Sequence, residues 1–378
     1  MKTQITCFLE KNKYRIMGVV FTVFLCFISI FSIILPDTTI SQKERRHLQQ
    51  FPIPNMETVL SGNYFAKLES YMLDQFPFRD SFRSLKTQFD LSVIQKKDAD
   101  GYFQIGEVLY ELPSEPNSKN ILQCSQHFEH IMTKYFPKST GFFCMIPDKT
   151  YYLPTDSTHI RSDYDAFAEY YQKSSNSMLQ PIEIKNDLTI NHYYKTDMHL
   201  KQETLSEIAH HIGTSMTGVK KPLSLYEERL ISDSFYGGIS SASGLYPSPD
   251  NLVVLSSQEI ANAIVFDYES KQEIPMYNAD FASQLDPYDV YLGGAKALLK
   301  ITNSSSKCNK ELVLFRDSFG SALAPLLLEY YDTIYLIDLR YTTVHAALAL
   351  ITPSEECDVL FLYSTNVLNS GSLRMKVV

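Results

Sequence analysis

Residues 311–331 read ELVLFRDSFGSALAPLLLEYY, and this stretch decides the fold class. The apolar run 312–315 has the length of a buried strand, and after the polar step Arg316-Asp317-Ser318 the spacing over 321–331 is helical. The alternation continues downstream, with a strand at 333–338, a helix at 343–350 and a last strand at 358–363. Strands that alternate with helical segments of about ten residues predict βαβ units and a central, mostly parallel sheet, an α/β fold. In such a sheet ligands bind beyond the carboxyl ends of the strands. Ser318, at a strand-to-helix turn, is placed to project its hydroxyl into that crevice. The following helix N-terminus offers N–H groups to a developing oxyanion. Asp or Ser before a helix is also an ordinary cap, so the Asp317-Ser318 step alone leaves both readings open.

Upstream, 297–302, 263–268 and 251–255 read as strands, and 201–216 and 163–178 as helices. Segment 141–146 (GFFCMI) reads as a buried strand, 120–136 as a helix and 102–110 as a hairpin. A serine nucleophile needs a base, and the base needs an orienting acceptor. Of the nine histidines, His127, His130, His210 and His211 fall on helical stretches and His345 on the late helix. His199 differs. It stands in YYKTDMHL (193–200), two residues after Asp197, and extended residues at i and i+2 point to the same side. Asp197 and His199 can therefore be aimed into one site; the competing reading is that Asp197 caps a helix beginning near Lys201.

The chain has 378 residues, enough for about two folding units. Its apolar share of 44% and charged share of 20% exclude bulk disorder, and its net charge of −9 argues against nucleic acid as a partner. Residues 16–35 form an uncharged apolar stretch long enough to span a bilayer. That stretch is longer than the core of a cleavable signal and ends in Pro36-Asp37 without a small-residue cleavage site, so an uncleaved anchor is expected. The expected organisation is a tail at 1–15, an anchor at 16–35, a polar juxtamembrane linker at 36–56 and a single domain over 57–378. Its lead-in, 57–97, has helical spacing broken at Pro77. The aromatic stripes Tyr64/Leu68/Tyr71/Met72 and Phe78/Phe82/Leu85/Phe89 are expected in the core. Cys124, Cys144, Cys308 and Cys357 allow three pairings or four thiols; Cys308 and Cys357 each precede a strand, which makes a bridge between them conceivable. No Cys/His spacing suggests zinc, and no metal site is expected.

A series of short segments carries a resemblance: Glu44-Arg45-Arg46-His47-Leu48 with Phe51-Pro52, Ser61-Gly62, and Asp74-Gln75-Phe76-Pro77-Phe78-Arg79-Asp80. Tyr194–Leu200, Phe235-Tyr236-Gly237-Gly238, Arg316-Asp317-Ser318-Phe319 and Ile337-Asp338-Leu339-Arg340-Tyr341 continue it in order. Together they resemble the DHHW proteins of Gram-positive bacteria, relatives of the alginate acetylation proteins with an SGNH-hydrolase-like domain. The resemblance implies a main domain outside the cytoplasm that transfers or removes O-acetyl groups on a cell-surface polysaccharide. It implies Ser318 as nucleophile, His199 as general base and Asp197 as the group that orients it. Gly237, Gly238, Asp317 and Arg340 become oxyanion or substrate contacts. The implied partners are the polysaccharide and a multi-spanning membrane O-acyltransferase, and the chemistry requires no cofactor. The chain departs from the naming motif at Met198 and Leu200, the latter replacing Trp in a sequence that contains no tryptophan. Ala295 stands where the family leads one to expect Asn. These departures support an alternative, a catalytically degenerate glycan-binding or assembly subunit.

Overall fold

The computed structural model describes residues 2–174, 178–303 and 308–373. The chain divides into two compact units, Met1–Phe89 and Asp90–Val378.

The first unit begins with one helix, Lys2–Ile34 (α1), whose segment Asn12–Ser32 is long and apolar enough to cross a membrane. The hydroxyls of Thr22, Ser29 and Ser32 bond to the carbonyls of Gly18, Leu25 and Ile28, so these polar groups are satisfied inside the helix. Two short strands pair antiparallel, Ile40–Ser41 (β1) and Arg46–His47 (β2). Helices Met56–Leu60 (α2), Asn63–Asp74 (α3) and Arg79–Ser92 (α4) follow. Residues Glu44, Arg46, Asp74 and Arg79 form an ionic clasp. Glu44 accepts from Arg46 Nε at 2.9 Å and Arg79 Nε at 2.7 Å, while the Arg46 fork grips Asp74 at 2.6 and 2.8 Å. The Arg46 guanidinium holds the Asp74 carboxyl down at about 2. The aromatic stripes do not lie in a core as expected: α3 buries no residue and α4 only Thr87. The rest of this small unit has too little surface to cover both faces of two helices.

In the second unit a hairpin, Tyr102–Ile105 (β3) and Val108–Glu111 (β4), precedes helix Ser118–Tyr135 (α5). Strand Thr140–Ile146 (β5), helix Tyr164–Ser174 (α6), strand Leu179–Ile182 (β6) and helix Ser206–Thr217 (α7) come next. Glu227–Phe235 (β7) and Asp250–Ser256 (β8) pair antiparallel around helix Gly238–Ser243 (α8). The remaining strands are Ile264–Asp267 (β9), Gln272–Ile274 (β10), Leu298–Thr302 (β11), Glu311–Arg316 (β12), Thr333–Ile337 (β13) and Asp358–Ser364 (β14).

Eight of these strands form one sheet in the order β10-β9-β11-β13-β12-β14-β5-β6. The pairs from β13 to β6 are parallel, and the β10-β9-β11 extension is antiparallel. The near-continuous apolar runs follow from burial on both faces. Leu312, Leu314, Leu336, Leu360 and Phe142 pack toward α7, whereas Val313, Phe315, Phe361 and Phe143 pack toward α5 and α6. Side-chain alternation along the strands makes this division.

Several boundaries differ from expectation. The helix read at 321–331 is an α-turn, Phe319–Leu323, continued as a 3₁₀ helix, Ala324–Glu329, because Pro325 cannot complete an α-helical bond. The helix read from 201 begins as a 3₁₀ turn, Gln202–Thr204. The strand read at 251–255 exists but lies outside the main sheet, paired with β7, whose polar sequence hides it. The expected helix at 163–178 runs into residues 175–177, which lie outside the described residues. Cys308 and Cys357 do not bridge. Cys308 Sγ lies 3.6 Å from Glu329 O, and Cys357 Sγ lies 3.4 Å from Ser139 Oγ.

Candidate active site

β12 ends at Arg316, and the turn Asp317-Ser318 lies beyond its carboxyl end, in the crevice the topology predicts. Between residues 312 and 328 Ser318 alone is not buried. The turn is held by Asp317, which is fully buried. Its Oδ1 accepts from Phe319 N at 3.0 Å, and its Oδ2 accepts from Ser364 N at 2.8 Å and Ser364 Oγ at 2.7 Å. Asp317 thus staples the end of β12 to the end of β14 and presents no oxygen to a substrate, contrary to the expectation of a contact residue. Burial pushes its carboxyl up, against the pull of Ser364 and Arg340. Gly320 is required by close approach: a Cβ there would lie 2.7 Å from Arg316 Cβ.

The segment carrying Asp197 and His199 meets this turn. His199 Nε2 lies 2.8 Å from Ser318 Oγ, and His199 Nδ1 lies 2.6 Å from Asp197 Oδ1. The carboxylate only accepts, so Nδ1 carries the proton and Nε2 is left to accept the Ser318 hydroxyl. The imidazole is fixed by packing as well. It stacks on Tyr288 with centroids 4.1 Å apart and planes 15° apart, and touches Phe319 at 4.9 Å. Asp197, His199 and Ser318 form one hydrogen-bonded row, with contacts within the reach proton transfer requires.

Asp197 is positioned by groups that sequence reasoning missed. Asp250 accepts from Lys195 N at 2.9 Å, Thr196 N at 2.8 Å and Thr196 Oγ1 at 2.7 Å. From the carbonyl side the buried Lys149 Nζ reaches Tyr194 O at 2.6 Å, Leu109 O at 2.7 Å, Lys195 O at 3.0 Å and Asp197 O at 3.1 Å. Burial pushes the Lys149 ammonium down to about 7, opposed by Asp197, Asp250 and Asp148. An ammonium and a carboxylate therefore grip the two polar edges of one short segment. Lys149 had a faint signal, as a polar residue just past the apolar run of β5; Asp250 and Tyr288 had none.

Gly237 and Gly238, expected to serve an oxyanion, are spent elsewhere. Gly237 N donates to Thr196 Oγ1 at 3.0 Å and Gly238 N to Asp197 Oδ2 at 2.5 Å. The first steadies Thr196 and the second the Asp197 carboxylate. In the Ser318 turn the amides of Phe319, Gly320 and Ser321 donate to Asp317 Oδ1, Asp317 O and Ser318 O. Arg340 makes an ion pair: its Nε and Nη2 hold Asp338 at 3.0 and 2.7 Å. Leu200 is fully buried in the core, and Ala295 is exposed with no donor in its side chain. Among the described residues no group of three or more His, Cys, Asp or Glu is placed to hold a metal ion.

No protein-family model matches the sequence, and no curated protein matches it. Solved structures do. A DHHW family protein from Eubacterium siraeum superposes with a TM-score of 0.58 at 18% identity, over 73% of this chain and 95% of that one. Bacillus cereus PatB1 with a sulfonyl adduct gives 0.58 at 18% identity, over 73% and 98%. A second PatB1 structure gives 0.56 at 17%, over 73% and 99%. At these identities the likeness is one of fold, and in fold this α/β chain is similar to the DHHW family protein and to PatB1.

Proposed function

We propose that the protein is a serine enzyme that transfers or removes O-acetyl groups on a cell-surface polysaccharide, with Ser318, His199 and Asp197 as its catalytic triad. The observation that carries this reading is the unbroken Asp197–His199–Ser318 row, with contacts of 2.6 and 2.8 Å, at the carboxyl end of β12. Ser318 Oγ attacks the acetyl carbonyl while its proton passes to His199 Nε2. The tetrahedral oxyanion faces the Ser318 amide. Collapse expels the donor's alkoxide, which takes the proton from Nε2 and leaves an acetyl ester on Ser318. A sugar hydroxyl, or water, then gives its proton to Nε2 and attacks that ester, releasing the product and the free serine. Asp197 keeps the imidazole in the right tautomer and stabilises the imidazolium of each half-reaction.

In this reading α1 is a single-pass anchor, residues 1–15 face the cytoplasm and the second unit works outside it. A multi-spanning membrane O-acyltransferase supplies acetyl groups across the bilayer, as the resemblance implies. The alternative of a degenerate glycan-binding subunit has one observation in its favour. With Gly237 and Gly238 spent and Ala295 lacking an amide, few oxyanion donors remain, and loss of one such donor costs on the order of 100- to 1000-fold.

Release of acetate from a chromogenic acetyl ester separates the two. The wild type should exceed Ser318→Ala by on the order of 1000-fold or more. Equal rates, in a folded protein that still binds glycan, decide for the subunit. PatB1 carries a sulfonyl adduct, which makes a sulfonyl fluoride the natural second probe. Intact mass should show one adduct on the wild type and none on Ser318→Ala.

A further inference from the structure

The stripe Phe78/Phe82/Leu85/Phe89 keeps the spacing of one helix face, yet its members are 40–61% exposed. The opposite side of α4 is accounted for. Thr87 is its buried residue, and Arg79 and Arg83 turn to Glu44 at 2.7 and 3.8 Å. The stripe is therefore the outward face of this unit, and it contains no charge.

Its position along α1 says what covers it. The Phe78 ring packs on Phe31 with centroids 6.1 Å apart. Phe31 lies in the last turn of the apolar segment Asn12–Ser32, about 2 Å inside its end at 1.5 Å per residue. The end of α3 is tied to the residues just past α1. Tyr71 Oη donates to Asp37 Oδ1 at 3.0 Å, Gln75 Nε2 to Thr38 O at 2.9 Å, and Thr38 N to Gln75 Oε1 at 3.0 Å. The start of α4 is thus held level with the point where a spanning α1 leaves the hydrocarbon. An uncharged aromatic stripe at that level suits the boundary between acyl chains and headgroups.

We propose that α4 rests on the membrane surface, its Phe78/Phe82/Leu85/Phe89 face set into lipid at the acyl–headgroup boundary beside the anchor. The inference rests on the reading of α1 as a spanning helix. It gives the first unit a second role, that of fixing the orientation of the anchor's exit relative to the membrane plane.

The chain contains no tryptophan, so one introduced indole is a unique reporter. Phe82→Trp, Leu85→Trp and, on another face of α4, Ser84→Trp are made in the full-length protein. A fourth variant, Phe24→Trp, lies in the middle of the apolar segment. Each is placed in phosphatidylcholine nanodiscs with and without brominated acyl chains. Position 82 should lose most of its emission when bromine lies near the glycerol end of the chains, and less when it lies near the methyl end. Position 85 should behave alike, position 84 should lose little, and position 24 should show the opposite depth preference. Quenching at 24 but not at 82 or 85 overturns the proposal and leaves the spanning helix intact; that face would then meet protein or water. Absence of quenching at 24 removes the spanning reading, and this inference with it. Equal quenching at 82 and 84 also overturns it, since no particular face would then meet the lipid.

Discussion

Alanine at position 237 perturbs the proposed triad without altering any of its three members. A Cβ there would lie 2.2 Å from Asp197 Cβ and 2.3 Å from Asp197 Oδ2. Ordinary contact begins at 3.4 Å, so one partner must yield by about 1.2 Å. Asp197 has little freedom to do so. Its neighbours Lys195 and Thr196 are bound to Asp250, and its own carbonyl is bound to Lys149. A shift of that size takes the 2.6 Å contact with His199, or the 2.5 Å contact with Gly238, beyond hydrogen-bond range. Misplacing a catalytic group by about 1 Å costs on the order of 100-fold in rate, and overpacking costs about 1–3 kcal/mol of stability. The assay is acetyl-ester hydrolysis with kcat and KM resolved, beside a thermal melt. Gly238 holds the carboxylate oxygen turned away from His199, so the loss should fall on kcat and leave KM near the wild-type value. A folded Gly237→Ala protein with wild-type kcat would refute the reasoning, because the carboxylate would then tolerate displacement.

Three further outcomes follow from the same geometry. Lys149→Met leaves the Tyr194 and Asp197 carbonyls without the ammonium inside the protein, and should cost about 1–3 kcal/mol of stability and lower kcat with KM little changed; equal losses in both constants would contradict a positioning role. Burial raises the Glu203 carboxyl from 4.5 to about 7, so the folded protein holds a proton that the unfolded chain has released between those values. The stability this group contributes therefore falls as pH rises from 4.5 through 7, by up to about 3 kcal/mol at about 1.4 kcal/mol per pH unit. Glu203→Gln should match the wild type in urea unfolding near pH 4.5 and surpass it at pH 8; parallel pH profiles would sink this account. Leu200→Trp restores the indole of the family motif at a fully buried position, and should lower the melting temperature through overpacking of about 1–3 kcal/mol rather than raise activity.

What was legible in the sequence was local. The row Asp197–His199–Ser318 rests on an i, i+2 spacing and on a strand-turn-helix step, both of which can be read along the chain. The parallel strands were equally plain, since burial on both faces turns them into runs such as Val359–Leu362. β7 was not, because its face is largely exposed and its composition polar. The partners of Gly237, Gly238, Asp317 and Arg340 were not legible for a different reason. Each belongs to the motif, but its polar group is spent on another motif member or on a neighbouring strand, and only tertiary contacts reveal the acceptor. Lys149 was faint and Asp250 silent for the same reason, since they act mostly on backbone atoms, which carry no sequence signature. The missing tryptophan shows how such a signal can mislead. At position 200 the departure favours a degenerate site on sequence grounds, yet Leu200 lies buried in the core. The ring that lies against His199 belongs to Tyr288, nearly ninety residues away in the chain. Tyr288 is itself buried, so the aromatic face on His199 comes from a residue that no local pattern around position 199 announces.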